Sequence, residues 1–247
     1  HRKFSYTDIV QFANKKGIEL NIGKTEKTLD ASKVVPDIVK HSLKQDYKSV
    51  EGSLIELYLS GIQLTSLMDD YIEPVLVSIQ EHLDLNKISV AEEHIARKIV
   101  SKGLNQFKLS VINTKKDNGF NVLTLNLEND IPDLPIDMIQ ILLEDEGYNV
   151  HNCGSNTSIR NIKSLLNKKN YDAIFIYLCD RQCCTSTLVD NIDKTNSDLE
   201  QIIELSKKYD IKLFLGGPSF ENINQKLLKS FHLFTKYSEA LQITKIK

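Results

Sequence analysis

The sequence of 247 residues contains no run of eighteen apolar residues and no basic-then-apolar leader, so neither a helical membrane span nor a signal peptide is visible. Neither sign of charge is in excess. The 31 Lys and Arg stand against 33 Asp and Glu, a net of −2, which gives no case for the whole chain as a nucleic-acid binder. Cysteine is scarce. Cys153, Cys179, Cys183 and Cys184 are too few and too clustered for a disulfide framework and suit a reducing, cytoplasmic setting. The spacing of the last three matches no zinc template, even with His151 or Cys153 nearby, and cysteine often serves as a small buried hydrophobe. No Ser-His-Asp set, phosphate loop or dinucleotide fingerprint is present. Asp130 and Asp133 have no nameable acid–base partner, so the chain does not read as an enzyme. No internal repeat or low-complexity segment occurs. The chain starts at His1 without Met and reads as part of something longer.

What is present is organised around residues 121–218. Asn121 to Leu127 is a strand run, Asp137 to Glu146 has helical spacing, and Gly147 stops it. A second strand starts at Gly147-Tyr-Asn-Val150 and leads into Cys153-Gly154. Tyr171 to Leu178 is a third apolar run and Ile211 to Leu215 a fourth, closed by Gly216-Gly217-Pro218, with Phe231 to Thr235 as a fifth. Short β-branched or aromatic runs alternating with helix-length segments predict βαβ units and an open parallel sheet. Ligands of such sheets sit outside the carboxyl ends of the strands. That directs attention to the loops 128–135, 151–157, 177–184, 216–220 and the one near 235.

The first half reads differently. Thr7 caps a helix from Asp8 to Lys16, and Asn21 to Asp30 is a polar linker. From Ala31 to Gly103 the spacing is helical throughout. Pro36 suits a first turn, and Ile38, Leu43 and Tyr47 form one face. Val50 to Ser60 is closed by Gly61, and Ile62 to Leu83 carries Pro74 inside it. Ser89-Val-Ala-Glu92 is a capping-box start to a helix that runs to Ser101, before Gly103. Short connections between about four helices predict an antiparallel bundle. Gln106 to Val111 reads as a short strand or linker. Lys33, Lys40, Lys44 and Lys48 make a solvated helix face.

Three stretches carry a family resemblance. One is Leu54-Ile-Glu-Leu-Tyr-Leu-Ser-Gly61 with Tyr71-Ile-Glu-Pro74 and Ile88-Ser-Val-Ala-Glu-Glu-His94; the others are Gly147 to Gly154 and Phe214-Leu-Gly-Gly-Pro-Ser-Phe220. In this order they resemble the cobalamin (vitamin B12)-binding module of MerR-type, light- or cobalamin-responsive transcription regulators. The resemblance implies an α/β fold class: an N-terminal helical bundle cap over 31–103, then a Rossmann-like (flavodoxin-like) parallel-sheet domain over 120–247. His1-Arg-Lys-Phe4 with Asp8-Ile9 resembles the end of a winged-helix DNA-binding domain, assigned to 1–22. The implied cofactor contacts are Leu83, Glu93, His94, Asp130, Pro132, Gly154, Tyr177, Gly216, Gly217 and Pro218.

The chain departs from the family pattern where the cofactor would be held. In the family's Asp-x-His-x-x-Gly signature, the Asp falls on Asp130, the His on Pro132 and the Gly on Pro135. Proline offers neither donor nor imidazole, so that position holds no metal ligand. A small residue that makes room for the buried nucleotide tail falls near Tyr177. A cap Trp falls on Leu83, and a neighbouring His on Asp84. Cobalamin binding is therefore expected to be weakened or lost. The leading expectation is the sensor or oligomerisation module of a DNA-binding regulator, self-associating as a dimer or tetramer, with DNA reached through a domain upstream of residue 1. The alternatives are a corrinoid carrier subunit for methyl transfer and a cofactor-free dimerisation or partner-binding body.

Overall fold

The structure, a computed structural model, describes residues 30–111, 117–128, 130, 133–179 and 191–244, and divides into two units, His1–Asn113 and Thr114–Lys247. The sequence-predicted helix 8–16, the winged-helix end at 1–22, Pro132, Cys183 and Cys184 lie outside the described residues.

The first unit is helical. Helix α1 spans Ala31–Leu43 and α2 Tyr47–Leu59. A short α3, Leu64–Ser66, passes through a π-turn at Leu67–Ile72 into α4, Glu73–Asp84. Helix α5 covers Val90–Val111. Side-chain caps set the starts. Asp30 accepts from the Ser32 N–H, and Asp46 from the Ser49 N–H and hydroxyl. Ser89 and Glu92 bond reciprocally, the predicted capping box.

The π-turn has a reason in the spacing. Leu67, Tyr71, Val75 and Ile79 recur every four residues and are all buried. A regular α-helix turns every 3.6 residues, so four-residue steps drift off a face by about 40° each. A wider turn, with the Glu73 N–H bonded back to the Met68 carbonyl, holds them on one side just before Pro74, whose missing N–H interrupts the normal ladder anyway.

Several local expectations are corrected here. Pro36 is in the second turn of α1, not the first, because Asp30 caps that helix. Gln45, at φ 61°, turns the chain, so Tyr47 and Lys48 belong to α2 rather than continuing α1. Gly103 does not stop a helix. Helix α5 continues through it to Val111, and residues 106–111 are helical, not strand. A Cβ at 103 would come within 2.6 Å of Val50 Cγ1, so the glycine lets α2 and α5 approach closely.

The second unit is a five-stranded sheet in the order β2-β1-β3-β4-β5, with every neighbouring pair parallel. The strands are β1 Asn121–Leu125, β2 Asn149–Asn152, β3 Ala173–Tyr177, β4 Lys212–Gly216 and β5 His232–Phe234. They match the apolar runs of the sequence to within two residues at most ends. Helices α6 (Leu134–Asp145), α7 (Ile159–Leu166), α8 (Ile192–Tyr209), α9 (Gln225–Leu228) and α10 (Tyr237–Thr244) connect or follow them.

Alternation divides the strand residues between two faces. Leu123, Leu125, Ile174, Ile176, Leu213 and Leu215 form one core with α7 and α8. Val122, Thr124, Phe175, Tyr177, Phe214 and Gly216 look the other way, the side on which α6 packs on β1, β2 and β3 and α10 packs on α6 and β5. Burial of both faces explains why β3 is apolar along its whole length.

Candidate functional site at the carboxyl edge of the sheet

With the order 2-1-3-4-5, the chain leaves β1 toward β2 on one side and returns to β3 on the other. The crevice for ligands in such a sheet lies between the loops that follow β1 and β3. The structure gathers Asp130, Gly154, Tyr177, Gly216 and Gly217 at the carboxyl ends of β1 to β4.

The loop after β1 is tied on both sides. Asp130 is buried, and its Oδ2 accepts the backbone N–H of Cys179, just beyond β3, at 2.9 Å. Its carbonyl accepts from Asn156 at 3.1 Å. Lys194, near the start of α8, donates to Glu128 Oε2 and Asp198 Oδ2, both at 2.7 Å. Burial works to lower the Lys194 pKa, but those two hydrogen bonds outweigh it and the ammonium form is favoured. The carboxylate at the Asp position of the family pattern thus holds a neighbouring loop. Pro135 lies in the first turn of α6, where a missing N–H loses no helical bond.

The three glycines differ in their surroundings. Gly154, at φ 68°, has open space where a Cβ would stand. A Cβ on Gly216 would overlap the Phe234 ring, and one on Gly217 would overlap the Leu178 carbonyl. Gly217, at φ 103°, directs the chain into a 3-10 turn, Pro218–Asn222, in which Pro218 is exposed. Leu178 N–H donates to the Gly216 carbonyl at 2.8 Å. Tyr177 is buried and stacks on Tyr237 of α10, centroids 6.1 Å apart and planes 4° from parallel. Among the described residues, Thr124 Oγ1 and Ser219 Oγ are buried without a hydrogen-bond partner.

A second polar cluster lies on β2. Lys169 Nζ donates to His151 Nε2 at 2.9 Å, so His151 Nδ1 carries the proton toward the Tyr171 hydroxyl at 2.7 Å. Burial and then the Lys169 charge lower the His151 pKa, while burial raises those of Cys153 and Tyr171. A thiol pushed up is a poor nucleophile. No group of three metal-ligating side chains occurs among the described residues.

The remaining sequence-predicted site residues belong to the helical unit. Leu83 is half-buried and Asp84 exposed at the end of α4. Glu93 is 0% exposed and is ion-paired with Arg97 one turn on. Arg97 also donates to the Leu76 carbonyl at 3.2 Å and to Gln80 Oε1 at 3.3 Å, and Gln80 Nε2 reaches Asp84 Oδ1 at 2.9 Å. His94 is exposed, its Nε2 3.7 Å from Glu93 Oε2. Glu93 therefore looks into the bundle while His94 looks out. Sequence reasoning missed Arg97, although its i, i+4 spacing from Glu93 signals the pair. It also missed Phe234 and Tyr237, whose contacts with Gly216 and Tyr177 no local pattern reveals.

Residues 120–239 match the family model described as the B12 binding domain. This segment, just under half of the chain, is similar to B12 binding domains. The fold is similar to that of the monomethylamine corrinoid protein of Methanosarcina barkeri, with TM-score 0.64 and 12% identity over 86% of this chain and 97% of that one. Two further solved structures are similar only loosely. A methanol:cobalamin methyltransferase complex of M. barkeri has TM-score 0.40 and 16% identity over 99% and 92% of the two chains. A cobalamin-binding protein from Desulfitobacterium hafniense DCB-2 has TM-score 0.41 and 12% identity over 85% and 97%. No curated protein matches the chain.

The residues of the B12-type domain fit the expected cofactor poorly. Of the six histidines, at 1, 41, 82, 94, 151 and 232, only His151 comes near the carboxyl edge, and it belongs to strand β2, where it bonds Tyr171 and Lys169. Asp130 is engaged by Cys179, and the space beside Tyr177 and Gly216 is taken by Tyr237 and Phe234. The two unpartnered hydroxyls supply neither a ring ligand nor a slot. Of the three glycines, Gly154 alone has open room where a Cβ would stand.

Proposed function

We propose that this chain is the sensor and self-association module of a DNA-binding transcription regulator, built on a B12-type body that does not hold cobalt through a ligand from the loop after β1. One observation carries the reading: Asp130, at the family's signature position, bonds the Cys179 backbone, with no histidine in the loop it anchors. A methyl carrier needs a reactive, well-held cobalt. A module that only changes how copies associate can act through any ligand with unequal affinity for the two assemblies. The basic-aromatic His1-Arg-Lys-Phe4 with Asp8-Ile9 supports a DNA-binding neighbour.

Light scattering tests the assembly part. The expected mass is that of a dimer or tetramer of the 28.1 kDa chain. A monomer at tens of micromolar, with and without hydroxocobalamin, rejects it. Footprinting with the product of the full reading frame tests the rest, with a two-fold protected site expected.

The fold likeness to the monomethylamine corrinoid protein favours a second reading, a corrinoid carrier. A cobalt-dependent methyl transfer by this chain would establish that reading and overturn the first.

A further inference from the structure

We infer that the slot for a nucleotide tail in this B12-type domain is closed by the chain's own aromatic side chains, so that the tail adds no more than about tenfold to corrinoid affinity. The inference goes beyond the regulator reading and stands or falls separately from it.

The slot expected from the resemblance lies beside Tyr177 and the Gly216-Gly217 turn. Those positions fall on the sheet face that α6 and α10 flank. A flat base needs a gap between parallel walls there. The chain fills the gap itself. Tyr177 and Tyr237 lie nearly parallel and are 6% and 3% exposed. Phe234, 2% exposed, occupies the space that the absent Cβ of Gly216 leaves. Behind it, Phe175 stacks on Phe214 with centroids 4.2 Å apart and planes 2° from parallel. Phe175 also meets Phe234, tilted, at 6.1 Å. Gly217 is likewise used internally, against the Leu178 carbonyl. An entering base would have to displace an interlocked aromatic layer and leave its rings without a partner surface. Protein interiors pack at crystal-like density and do not yield such space without rearrangement.

Glycine at 216 would ordinarily be read as room for a ligand. Here that room is already occupied by residue 234. The layer draws on aromatic residues in the middle of β3 and β4, at the ends of β3 and β5 and at the start of α10.

The test compares two corrinoids on the unmodified chain. Hydroxocobalamin carries the nucleotide tail and diaquacobinamide lacks it. Calorimetry and absorbance should give cobalamin affinity no more than about tenfold above that of cobinamide, or no detectable cobalamin binding, which is about 1.4 kcal/mol at most from the tail. Cobalamin binding a hundredfold tighter than cobinamide, with a spectrum showing the tail base displaced from cobalt, overturns the inference. Phe234→Ala and Tyr177→Ser, checked for folding by circular dichroism, should each raise the cobalamin-to-cobinamide ratio by tenfold or more. If both fold and leave that ratio unchanged, the aromatic layer is not what closes the slot and the inference fails. If they do not fold, the ratio on the unmodified chain decides alone.

Discussion

The ring of Phe234 stands where the Cβ of any residue other than glycine at position 216 would have to be. Gly216→Ala therefore overfills a packed layer, and overpacking typically costs about 1–3 kcal/mol. Gly217→Ala is expected to cost more. Its Cβ meets a backbone carbonyl that cannot swing aside, and φ of 103° strains an L-residue. Gly154→Ala has open space and suffers only from its φ of 68°, about 1–2 kcal/mol. Urea unfolding of the three variants should rank the losses with Gly217→Ala largest, then Gly216→Ala, then Gly154→Ala. A Gly154→Ala variant as damaged as Gly217→Ala would mean that the crevice at 154 is filled.

Arg97 is the counterion of a fully buried carboxylate. Removing one partner of a buried pair costs about 3–5 kcal/mol, since the other charge is left stranded. Arg97→Met should lose that much, and Glu93→Leu combined with Arg97→Met should recover most of it. Thermal melts of the two single variants and the double variant measure the coupling. Additive losses would show that the pair is not energetically joined.

Asp130 receives the Cys179 N–H in a buried setting. Asp130→Ala strands that donor and should cost about 1–3 kcal/mol, while Asp130→Asn keeps an acceptor and should cost less. Amide exchange at Cys179 is the direct readout: fast in the alanine variant, slow in the parent. Equal exchange in both would place the stabilising contact elsewhere.

His151 has a pKa lowered by burial and by Lys169. A group held neutral in the folded state binds its proton more readily when unfolded. Its contribution to stability is present above the unfolded value, about 6.5, and is lost as pH falls through it toward the lowered folded value. Lys169→Met should raise the His151 pKa in an imidazole NMR titration and shrink that loss. A His151 pKa unmoved by Lys169→Met would remove the ammonium from the account.

Much of this was legible beforehand, for identifiable reasons. The runs at 121–127, 171–178 and 211–215 had to be buried on both faces and could only be central parallel strands. The Ser89–Glu92 box announced α5 through chemistry confined to four residues. Gly103 misled because a glycine at a helix end and a glycine at a helix crossing look alike in one dimension. What decides between them is Val50, over fifty positions away. The same holds for Tyr177. Its bulk signalled a narrowed groove, but that Tyr237 completes the closure depends on a helix returning across the sheet. The Asp130–Cys179 bond joins a side chain to a backbone group and leaves no mark on residue choice at 179.

The π-turn at Leu67–Ile72 amounts to one residue of slack in an otherwise continuous helix. Removing exposed Asp70 would shorten the step from Leu67 to Tyr71 to three residues and leave the two later steps at four, a spacing that a regular helix keeps on one side. The bulge thus has the form of an insertion that the bundle absorbed without turning its faces. A chain one residue shorter here would reach the same core by a straighter path.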